Sequence, residues 1–410
     1  MAEQNFVQKM FAEYYRAHYK EIAPPSSLSQ REFGFLFSRE KMMIRHKSFT
    51  TPEELQRFIF TNAPSDIYYS STYYERPTEP MERKGWLGAD LIFDIDSDHL
   101  DTPCKQEHDF WTCENCNNSG RGNKLDVCPN CGGTKFRMEA WLCEKCLDAA
   151  KVETQKLLDF LISDFGFSPE ETVICFSGQR GYHVHIEEPE ARTLDQDARK
   201  EIADYITGTG LRLDLHGLIK RSRRFGGVGP DLDDYGWSGR IARGVYDVLA
   251  SSSPEAFQKI DGISSRAAKS LGDDRDSILE SWDKISPWRA RKVNLKTWTA
   301  LASRGVVGQV SLIDTVVTTD IHRLIRLPLT LHGKTGLKAM EVPHNMLDRF
   351  DPLKEAVAFD EGELRLLVND AHAFRIGDQT YGPYHLDEVE LPMAAAVYLL
   401  CKKAAKLVQG

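Results

Sequence analysis

The stretch LIFDIDSD, residues 91–98, places clustered aspartates at the end of an apolar run. In a β-strand, residues two apart point to the same face, so Asp94 and Asp96 project together while Ile95 faces the core. Neighbouring carboxylates repel each other unless a cation lies between them, and Mg²⁺ or Mn²⁺ takes its oxygen ligands from one or two carboxylates. We place Asp98 in the following turn. The stretch predicts a buried strand that ends in a divalent-metal site; the alternative is a solvated strand end.

A second acidic position is needed elsewhere in the chain, because a two-metal phosphoryl-transfer site generally uses a further carboxylate. The candidates are Asp314 and Asp320. Asp314 ends the apolar run VSLI and so resembles Asp94 in its setting. Asp320 precedes a predicted helix and is explained as its N-cap. We therefore favour Asp314 as the third acid.

A glycine-containing turn, SGQRGYHVHI (177–186), lies between two predicted strands. Its glycines would let backbone N–H groups approach an anion, and Arg180 could hold phosphate oxygens through two parallel hydrogen bonds. Ser177 and His183 flank the same turn. The alternative is an ordinary hairpin with a surface arginine. His183 and His185 share one face, either as a metal pair or as structural histidines.

A basic segment, RLIRLPLTLHGKTG (323–336), adds Arg326, His332 and Lys334. Its GKT does not form a P-loop, because the first glycine of that motif would fall at Pro328. The alternative is a basic surface hairpin. Together with the acids and the glycine turn, the segment would supply both metal and phosphate ligands, which is what nucleotidyl transfer requires.

Cysteines are concentrated in one segment: seven of the nine lie between Cys104 and Cys146, six of them as C-x-x-C pairs. This pattern indicates metal binding in a reducing compartment. Two pairs separated by eleven residues are typical of a zinc ribbon, with ligands Cys113, Cys116, Cys128 and Cys131. Cys175 and Cys401 have apolar neighbours and are interpreted as core residues.

The composition limits the classes of protein that the chain can represent. Its 410 residues predict two or three subdomains, and its 41% hydrophobic content is enough to bury them. The net charge of -9 argues against non-specific coating of nucleic acid but permits a local basic cleft. No apolar run approaches the ~18 residues that a membrane span needs. We expect a cytoplasmic protein without a membrane partner.

Patterning along the chain predicts an α/β (α+β) fold on a mixed or antiparallel sheet. Residues 1–22 have helical periodicity, 31–37 and 41–49 alternate as paired strands, and a helix begins at TTPEEL. A further helix over 146–166 leads into the strand, turn and strand of 171–186. The region from about 190 to 300 is mostly helical. Apolar alternation returns at GVVGQVSLIDTVV, and DIHRLIRL then predicts a helix.

The motifs in this order closely resemble those of the catalytic small subunit of archaeal and eukaryotic DNA primases. On this basis we expect a catalytic core over 1–103, 147–211 and 301–410, a zinc-binding segment over 104–146 and a mostly helical insertion over 212–300. The matching stretches are REFGF (31–35), IRHKSF (44–49), YYERP (73–77), FDIDSD (93–98), SGQRGYHVHI, and LID followed by LIRLPLTLHGKTG.

The resemblance implies roles for individual residues. Asp94, Asp96 and Asp314 are implied to bind two catalytic Mg²⁺ or Mn²⁺ ions. The nucleotide-binding residues are implied to be Ser177, Arg180, His183, Arg326 and His332, to which we add Lys334 from the same basic segment. Gln179 stands where eukaryotic members have a second arginine. Tyr68 stands near their acid that recognises the ribose 2′-hydroxyl, which leaves the sugar preference open.

Archaeal members of that family carry one zinc knuckle after the acidic strand. The residues that fit its pattern are Cys104, His108, Cys143 and Cys146. The ribbon cysteines would then form an inserted second site, and both Zn²⁺ ions would have a folding role. The rival arrangement is a single Cys₄ ribbon with Cys104 and His108 uncommitted.

The resulting functional expectation is a DNA primase, a template-directed nucleotidyltransferase that makes short primers on single-stranded DNA from nucleoside triphosphates. The resemblance implies a heterodimer with the large primase subunit in an archaeal-type cell. The basic run 220–224 is a candidate contact to the template. Two other classes are a metal-dependent D-x-D glycosyltransferase, which leaves the zinc segment unexplained, and a noncatalytic zinc-ribbon adaptor for nucleic acid, which leaves the acidic strand unexplained.

Overall fold

Two units make up the chain in this computed structural model. The first comprises Met1–Thr154, Ser168–Lys200 and Leu312–Gly410, and the second comprises Gln155–Phe167 and Glu201–Ser311. The structure describes residues 2–37, 42–123, 125–220, 227–282, 287–289 and 293–408. Within the basic run, residues 221–224 and the Lys220 side chain lie outside the described residues. The domain boundaries expected from the sequence stay a prediction.

The helices are, in chain order, α1 (Ala2–His18), α2 (Pro52–Asn62), α3 (Lys105–His108), α4 (Glu144–Asp159), α5 (Pro189–Arg192), α6 (Gln196–Thr207), α7 (Gly236–Ser251), α8 (Pro254–Phe257), α9 (Ser265–Ser281), α10 (Leu295–Gln309), α11 (Thr315–Thr319), α12 (Pro352–Glu355) and α13 (Met393–Cys401). Among the described residues, no helix combines the length and the apolar character that crossing a bilayer would take.

The strands are β1 (Phe33–Leu36), β2 (Ile44–Lys47), β3 (Asp66–Ser70), β4 (Thr72–Tyr74), β5 (Trp86–Ala89), β6 (Leu91–Asp96), β7 (Phe110–Cys113), β8 (Ser119–Arg121), β9 (Phe136–Glu139), β10 (Thr172–Phe176), β11 (Gly181–Ile186), β12 (Ile219–Lys220), β13 (Gly227–Val228), β14 (Leu324–Arg326), β15 (Met340–Glu341), β16 (Glu363–Ala371), β17 (Phe374–Ile376), β18 (Gln379–Tyr381), β19 (Tyr384–Pro392) and β20 (Ala405–Leu407).

Two four-stranded antiparallel sheets form the centre of the first unit, with strand orders β14-β3-β1-β2 and β15-β10-β11-β6. A three-stranded sheet, β8-β7-β9, lies in the cysteine-rich segment, and another, β19-β16-β20, lies near the C-terminus. The predicted α/β class on an antiparallel sheet is confirmed.

Local sequence accounts for several of these elements. Phe33 and Phe35 are two apart in β1 and are both buried, as a strand with one core face requires. Thr51 caps α2 by accepting the Glu54 N–H at 3.3 Å, and Pro52 occupies the first helical turn. The paired strands and the helix expected in this region are therefore confirmed.

Two predicted elements between residues 305 and 327 are wrong. The apolar alternation expected over 305–317 begins in helix α10, which ends at Gln309, and finishes in the short helix α11. Gly305 of α10 packs against the backbone of Gly244 in α7. The Cβ of any other residue at 305 would lie 2.5 Å from the Gly244 carbonyl carbon, so this close helix contact overrides the β preference of the neighbouring valines. The expected helix DIHRLIRL contains strand β14, which pairs with β3.

The assignment of Asp320 as an N-cap is also wrong. Asp314 caps the short helix α11, accepting the N–H groups of Val316 at 2.9 Å and Val317 at 3.4 Å, and Asp320 follows its end. Both aspartates border a short helix, so the sequence alone did not reveal on which side the helix lay.

The second unit is mostly helical. Its longest helices include α7, α9 and α10, and α7 packs against α10. The buried side chain of Arg240 pairs with Asp159 at 2.7 Å and with Asp164 at 2.8 Å. An edge-to-face run of Trp282, Trp288 and Trp298 contributes to its core.

Candidate active site and zinc sites

The acidic strand β6 pairs with β11, which follows the glycine turn. In this register Asp94 lies opposite His183, and Asp96 lies opposite Gly181. Ile95 is buried in the core, whereas both aspartates are only partly buried on the other face. The predicted alternation of β6 is thus confirmed.

The backbone places Asp314 beside this strand, because its N–H donates to the Asp94 carbonyl oxygen at 2.8 Å. Burial raises the pKa of the Asp94 carboxyl. The neighbouring charge of His183 lowers that pKa, while Asp96 and Asp314 raise it further. The three predicted acids therefore lie near one another and repel one another, which is the electrostatic setting that a divalent cation relieves.

Two glycines have packing roles that the sequence analysis did not foresee. Gly178 adopts a φ of +82°, and a Cβ there would meet the His332 Cβ at 2.9 Å. At Gly181, a Cβ would lie 2.4 Å from the Ile95 carbonyl oxygen and 2.9 Å from the Asp96 Cα. The glycines thus let the turn approach both the basic segment and the acidic strand.

A cavity of about 150 Å³ lies where these elements meet. It is lined by two of the acids together with polar and basic groups from the glycine turn, β3 and β14. The lining residues include Tyr68, Asp94, Asp96, Ser177, Gln179, His183, Val317, Arg323, Arg326 and His332. The cavity therefore combines carboxylates with groups that can bind phosphate.

Arg326 is held in place by β3. Its Nη1 donates to the Asp66 Oδ1 at 2.9 Å, and its Nη2 donates to the Tyr68 hydroxyl at 2.8 Å. Asp66 also accepts the Gly333 N–H at 3.0 Å. Burial opposes ionisation of Asp66, but Arg326 and His332 bring its pKa below the usual value. Asp66 thus orients the arginine and fixes the start of the HGKTG turn.

His332 also lines the cavity. Its Nδ1 accepts the Lys334 N–H at 3.1 Å, so in the neutral ring Nε2 carries the proton. Burial lowers the pKa of His332 well below its ordinary value, and the charge of Arg326 lowers it further. The histidine is therefore a neutral donor at neutral pH. The Lys334 side chain itself is exposed.

Arg180 is oriented away from the cavity lining. Its guanidinium pairs with Asp109 and with Asp98, and only 1% of the residue is exposed. Burial lowers its pKa to about 10, still well above neutrality. Among the predicted nucleotide-binding residues, Ser177, His183, Arg326 and His332 line the cavity, whereas Arg180 and Lys334 do not.

Several residues of this region were not identified from the sequence. Arg323 lines the cavity, but the segment was assigned to a helix, which obscured its position beside β14. Asp66 and Asp109 were missed because neither lies in a recognisable motif. Only their buried contacts to Arg326 and Arg180 distinguish them from surface aspartates.

The first cysteine cluster brings together the four residues that fit the knuckle pattern. The Cys146 Sγ lies 3.5 Å from the Cys104 Sγ and 3.4 Å from the His108 Nε2, and the four ligand atoms, including that of Cys143, lie within 4.8 Å of one another. Sulfur atoms around a tetrahedral Zn²⁺ are roughly 3.8 Å apart, given Zn–S bonds of about 2.3 Å. The set fits one zinc ion.

The second cluster contains the four ribbon cysteines. The Sγ atoms of Cys113 and Cys131 are 3.6 Å apart, and those of Cys116 and Cys128 are 3.7 Å apart. All four sulfur atoms lie within 4.8 Å of one another. The geometry therefore provides two candidate zinc sites, and Cys104 and His108 belong to the first.

Comparison with known proteins gives a consistent result. A family model described as DNA primase small subunit matches residues 123–342. The chain is 34% identical over 398 residues to the DNA primase small subunit PriS of Cenarchaeum symbiosum (strain A), with 96% of each chain covered. It is also 34% identical over 424 residues to that of Methanococcoides burtonii, covering 98% of this chain and 97% of the relative. For Archaeoglobus fulgidus the identity is 34% over 403 residues, covering 97% and 96%.

Proposed function

The chain belongs to the DNA primase small subunit family, and we propose that it synthesises primers in DNA replication by template-directed transfer of nucleotides from nucleoside triphosphates. The observation that carries this proposal is the cavity lined by Asp94, Asp96, Arg326 and His332. Its combination of carboxylates with an arginine and a histidine matches a triphosphate accompanied by divalent cations.

The three aspartates are the proposed ligands of two Mg²⁺ or Mn²⁺ ions. Asp94 and Asp96 extend from one face of β6, and Asp314 is brought beside them by its hydrogen bond to the Asp94 backbone. Bound there, two divalent ions would activate a 3′-hydroxyl and neutralise charge on the transferred phosphoryl group. The β6–β11 pairing fixes the backbone positions of Asp94 and Asp96, so these two carboxylates would hold the ions at defined places.

The basic and hydroxyl groups are the proposed ligands of the triphosphate. Arg326, held by Asp66, can present its guanidinium to phosphate oxygens without losing much side-chain freedom on binding. His332 can donate through Nε2, and Ser177 and His183 also line the cavity. We place Lys334 at the outer end of the site, where its exposed ammonium would meet the leaving pyrophosphate.

Both zinc ions are proposed to support folding. Closed thiolate sites leave no open coordination position for chemistry. The ribbon ligands lie at the ends and turns of the β8-β7-β9 sheet, and the knuckle joins α3 to the start of α4. Each site thereby connects segments whose short strands and helices would be marginal alone.

The partners of the chain are proposed from its family. We infer a heterodimer with the large primase subunit and a single-stranded DNA template. The cytoplasm of an archaeal-type cell stays the predicted location. A D-x-D glycosyltransferase is less well supported, because it would use the acidic pair but would have no need of phosphate ligands from both β14 and the HGKTG turn. A noncatalytic adaptor would not need the cavity.

Incubation of the chain with labelled nucleoside triphosphates, a single-stranded template and Mg²⁺ or Mn²⁺ tests the proposal. We expect template-dependent oligomers from the natural chain and none from Asp96→Ala. Asp360→Ala, which removes an exposed carboxylate outside the cavity, is the matched control and should be fully active. Equal product from Asp96→Ala and the control would contradict the assignment.

Repeating the assay with deoxynucleotides and with Tyr68→Phe measures the contribution of the Tyr68 hydroxyl to sugar choice.

A further inference from the structure

A buried carboxylate follows directly after a candidate zinc ligand. Asp109 is adjacent to His108, and its Oδ1 lies 2.7 Å from the His108 Nδ1, on the side of the ring opposite the Nε2 that faces the cysteines. Such a carboxylate fixes the tautomer and the orientation of a metal-binding histidine. The same Oδ1 accepts the Trp141 N–H at 3.2 Å, which anchors it to the chain just before Cys143.

Asp109 also binds Arg180 of the glycine turn. The Nη1 of Arg180 donates to both carboxylate oxygens, at 2.9 and 3.0 Å, and to the Trp141 carbonyl at 3.2 Å. Both side chains are almost fully buried. Removing either charge would leave the other buried without this ion pair, which is unfavourable. The two residues therefore join the knuckle firmly to the turn.

Arg180 in turn holds the residues that follow the metal-binding strand. Its Nη2 pairs with the Asp98 carboxylate, and its carbonyl oxygen accepts the Ser97 N–H at 3.1 Å. The Asp98 N–H donates to the Asp96 Oδ1 at 2.8 Å. Arg180 is thus connected through Asp98 to the carboxylate of Asp96, which is proposed to bind catalytic metal.

A second buried cation reinforces the same connection. Lys105, the first residue of α3 and the neighbour of Cys104, donates to the Asp98 carbonyl oxygen at 3.1 Å. Asp98 is therefore held at two points, by Arg180 through its carboxylate and by Lys105 through its carbonyl oxygen.

We propose that Asp109 and Arg180 are positioning residues that transmit the geometry of the zinc knuckle to the Asp96 end of the acidic strand. The proposal rests on the proposed function, in which Asp96 binds catalytic metal. It assigns to Arg180 a role different from phosphate binding, because the guanidinium is already surrounded by protein carboxylates. It also gives the knuckle zinc an influence on the active site beyond local folding.

Hydrogen exchange provides a test that needs no catalytic metal or substrate. Exchange in a peptide covering residues 91–100 should be faster in Arg180→Met and in Asp109→Asn than in the natural chain, because the Ser97 and Asp98 amides lose their support. Arg240→Met breaks a comparable buried pair in the second unit and is the matched control; it should leave this peptide unchanged. If this peptide exchanges in both Asp109→Asn and Arg180→Met at the same rate as in the natural chain, the proposal is overturned.

Measurements of metal affinity test separately the contact of Asp109 with the zinc knuckle and the contact of Arg180 with the acidic strand. Asp109→Asn should weaken knuckle zinc binding by roughly 10–100-fold, measured by competition with a chelator, and should weaken Mn²⁺ binding at the acids by about tenfold. Arg180→Met should weaken Mn²⁺ binding similarly while zinc is retained. Cys116→Ser, which removes a ribbon ligand, should leave Mn²⁺ binding unchanged. Loss of zinc in Asp109→Asn with natural Mn²⁺ affinity would refute the coupling.

Kinetics distinguish positioning from phosphate binding. A positioning role predicts that Arg180→Met lowers kcat with little change in the KM for nucleoside triphosphate, whereas loss of a phosphate ligand would raise KM. Arg180→Lys, which keeps the charge, should recover part of kcat. If Asp96→Ala binds Mn²⁺ as the natural chain does, the proposed function fails, while the exchange experiment still decides the positioning role.

Discussion

The N–H of Asp314 donates to the carbonyl oxygen of Asp94 at 2.8 Å, although the two residues are far apart in the chain. The contact starts helix α11 against the acidic strand and turns the Asp314 carboxylate back onto its own first helical turn. It brings together two acids that share one electrostatic environment, as the raised pKa of Asp94 indicates.

Replacement of Asp314 by asparagine should abolish most activity without unfolding the chain. Asparagine caps helices as well as aspartate does, so α11 should persist, but the carboxylate is lost. We expect kcat to fall by about 10²–10³-fold, the usual effect of removing one preorganised electrostatic group. Primer synthesis and thermal unfolding measure the two effects. Asp320→Asn, at the other end of α11, should retain activity; equal activity in both variants would remove Asp314 from the site.

Mn²⁺ binding should weaken as the solution is acidified. Burial raises the pKa of Asp94 above the ordinary aspartate value, and metal binding requires the ionised carboxylate. Affinity is therefore greatest above this raised pKa and falls as the pH drops through it. Paramagnetic titration of Mn²⁺ across the weakly acidic range measures the effect. The prediction is wrong if the Mn²⁺ affinity of the natural chain does not change with pH, or if it changes with pH in the same way as that of Asp94→Asn.

Triphosphate binding should be accompanied by proton uptake at His332. Its pKa in the unliganded chain is well below 6.5 because of burial and Arg326, and a bound anion raises it. Affinity should therefore increase as the pH falls from neutrality. Calorimetry in buffers of different ionisation enthalpy measures the uptake, which His332→Asn should abolish and the exposed-site control His385→Asn should retain. If proton uptake persists in His332→Asn, the proton binds to another group and the prediction is wrong.

Stability also depends on the protonation of His332. Its pKa is higher in the unfolded chain than in the folded chain, so the unfolded chain binds an extra proton below about pH 6.5. The free energy of unfolding should decrease as the pH falls below that value. In His332→Asn this part of the decrease should be absent, and urea unfolding at a series of pH values measures the difference.

A single methyl group at Gly181 should destabilise the first unit. A Cβ at this position would meet backbone atoms of β6, which cannot move aside as a flexible side chain can. Gly181→Ala should lower the free energy of unfolding by about 1–3 kcal/mol, the usual cost of overpacking. Gly308→Ala, in helix α10, adds a Cβ that would have no neighbouring atom within 4 Å and should raise it by about 1 kcal/mol. Denaturant unfolding compares the two variants.

The zinc content should be two ions per chain. The two ligand sets are separate and each fits a tetrahedral site. Cys116→Ser should reduce the content to one and leave the knuckle occupied. Elemental analysis of metal-stripped and reconstituted chain provides the measurement, and a ratio near one for the natural chain would favour the single-ribbon arrangement.

Local patterns in the sequence predicted the parts of this protein whose chemistry depends on neighbours in the chain. The alternation of LIFDID determined which side chains of β6 share a face, since that follows from strand geometry alone. The C-x-x-C pairs predicted zinc ligands because their spacing suits one metal ion, and the structure brings these cysteines into two clusters that could each hold one ion. The Thr51 cap and Pro52 located the start of α2.

The segment between 305 and 327 was predicted incorrectly, because an apolar run of this kind occurs in strands and in helices and packing can override the intrinsic preference of its residues. Gly305 meets Gly244, which favours helix α10, while Leu324–Arg326 pairs with β3 as a strand. Similarly, the sequence shows that Arg180 is basic and lies in a turn, but not whether it faces an anion or buried carboxylates.

The sequence by itself determined the kinds of groups available: paired acids, a glycine turn, a basic segment and a cluster of cysteines. Only the tertiary structure decided which of them meet. It placed Asp314 on the backbone of Asp94, Arg326 against Asp66, and Arg180 between Asp109 and Asp98. These contacts join segments that are distant in the chain. Which residues meet depends on how the sheets pack and on the free-energy cost of burying an unpaired charge. A local sequence pattern shows neither of these.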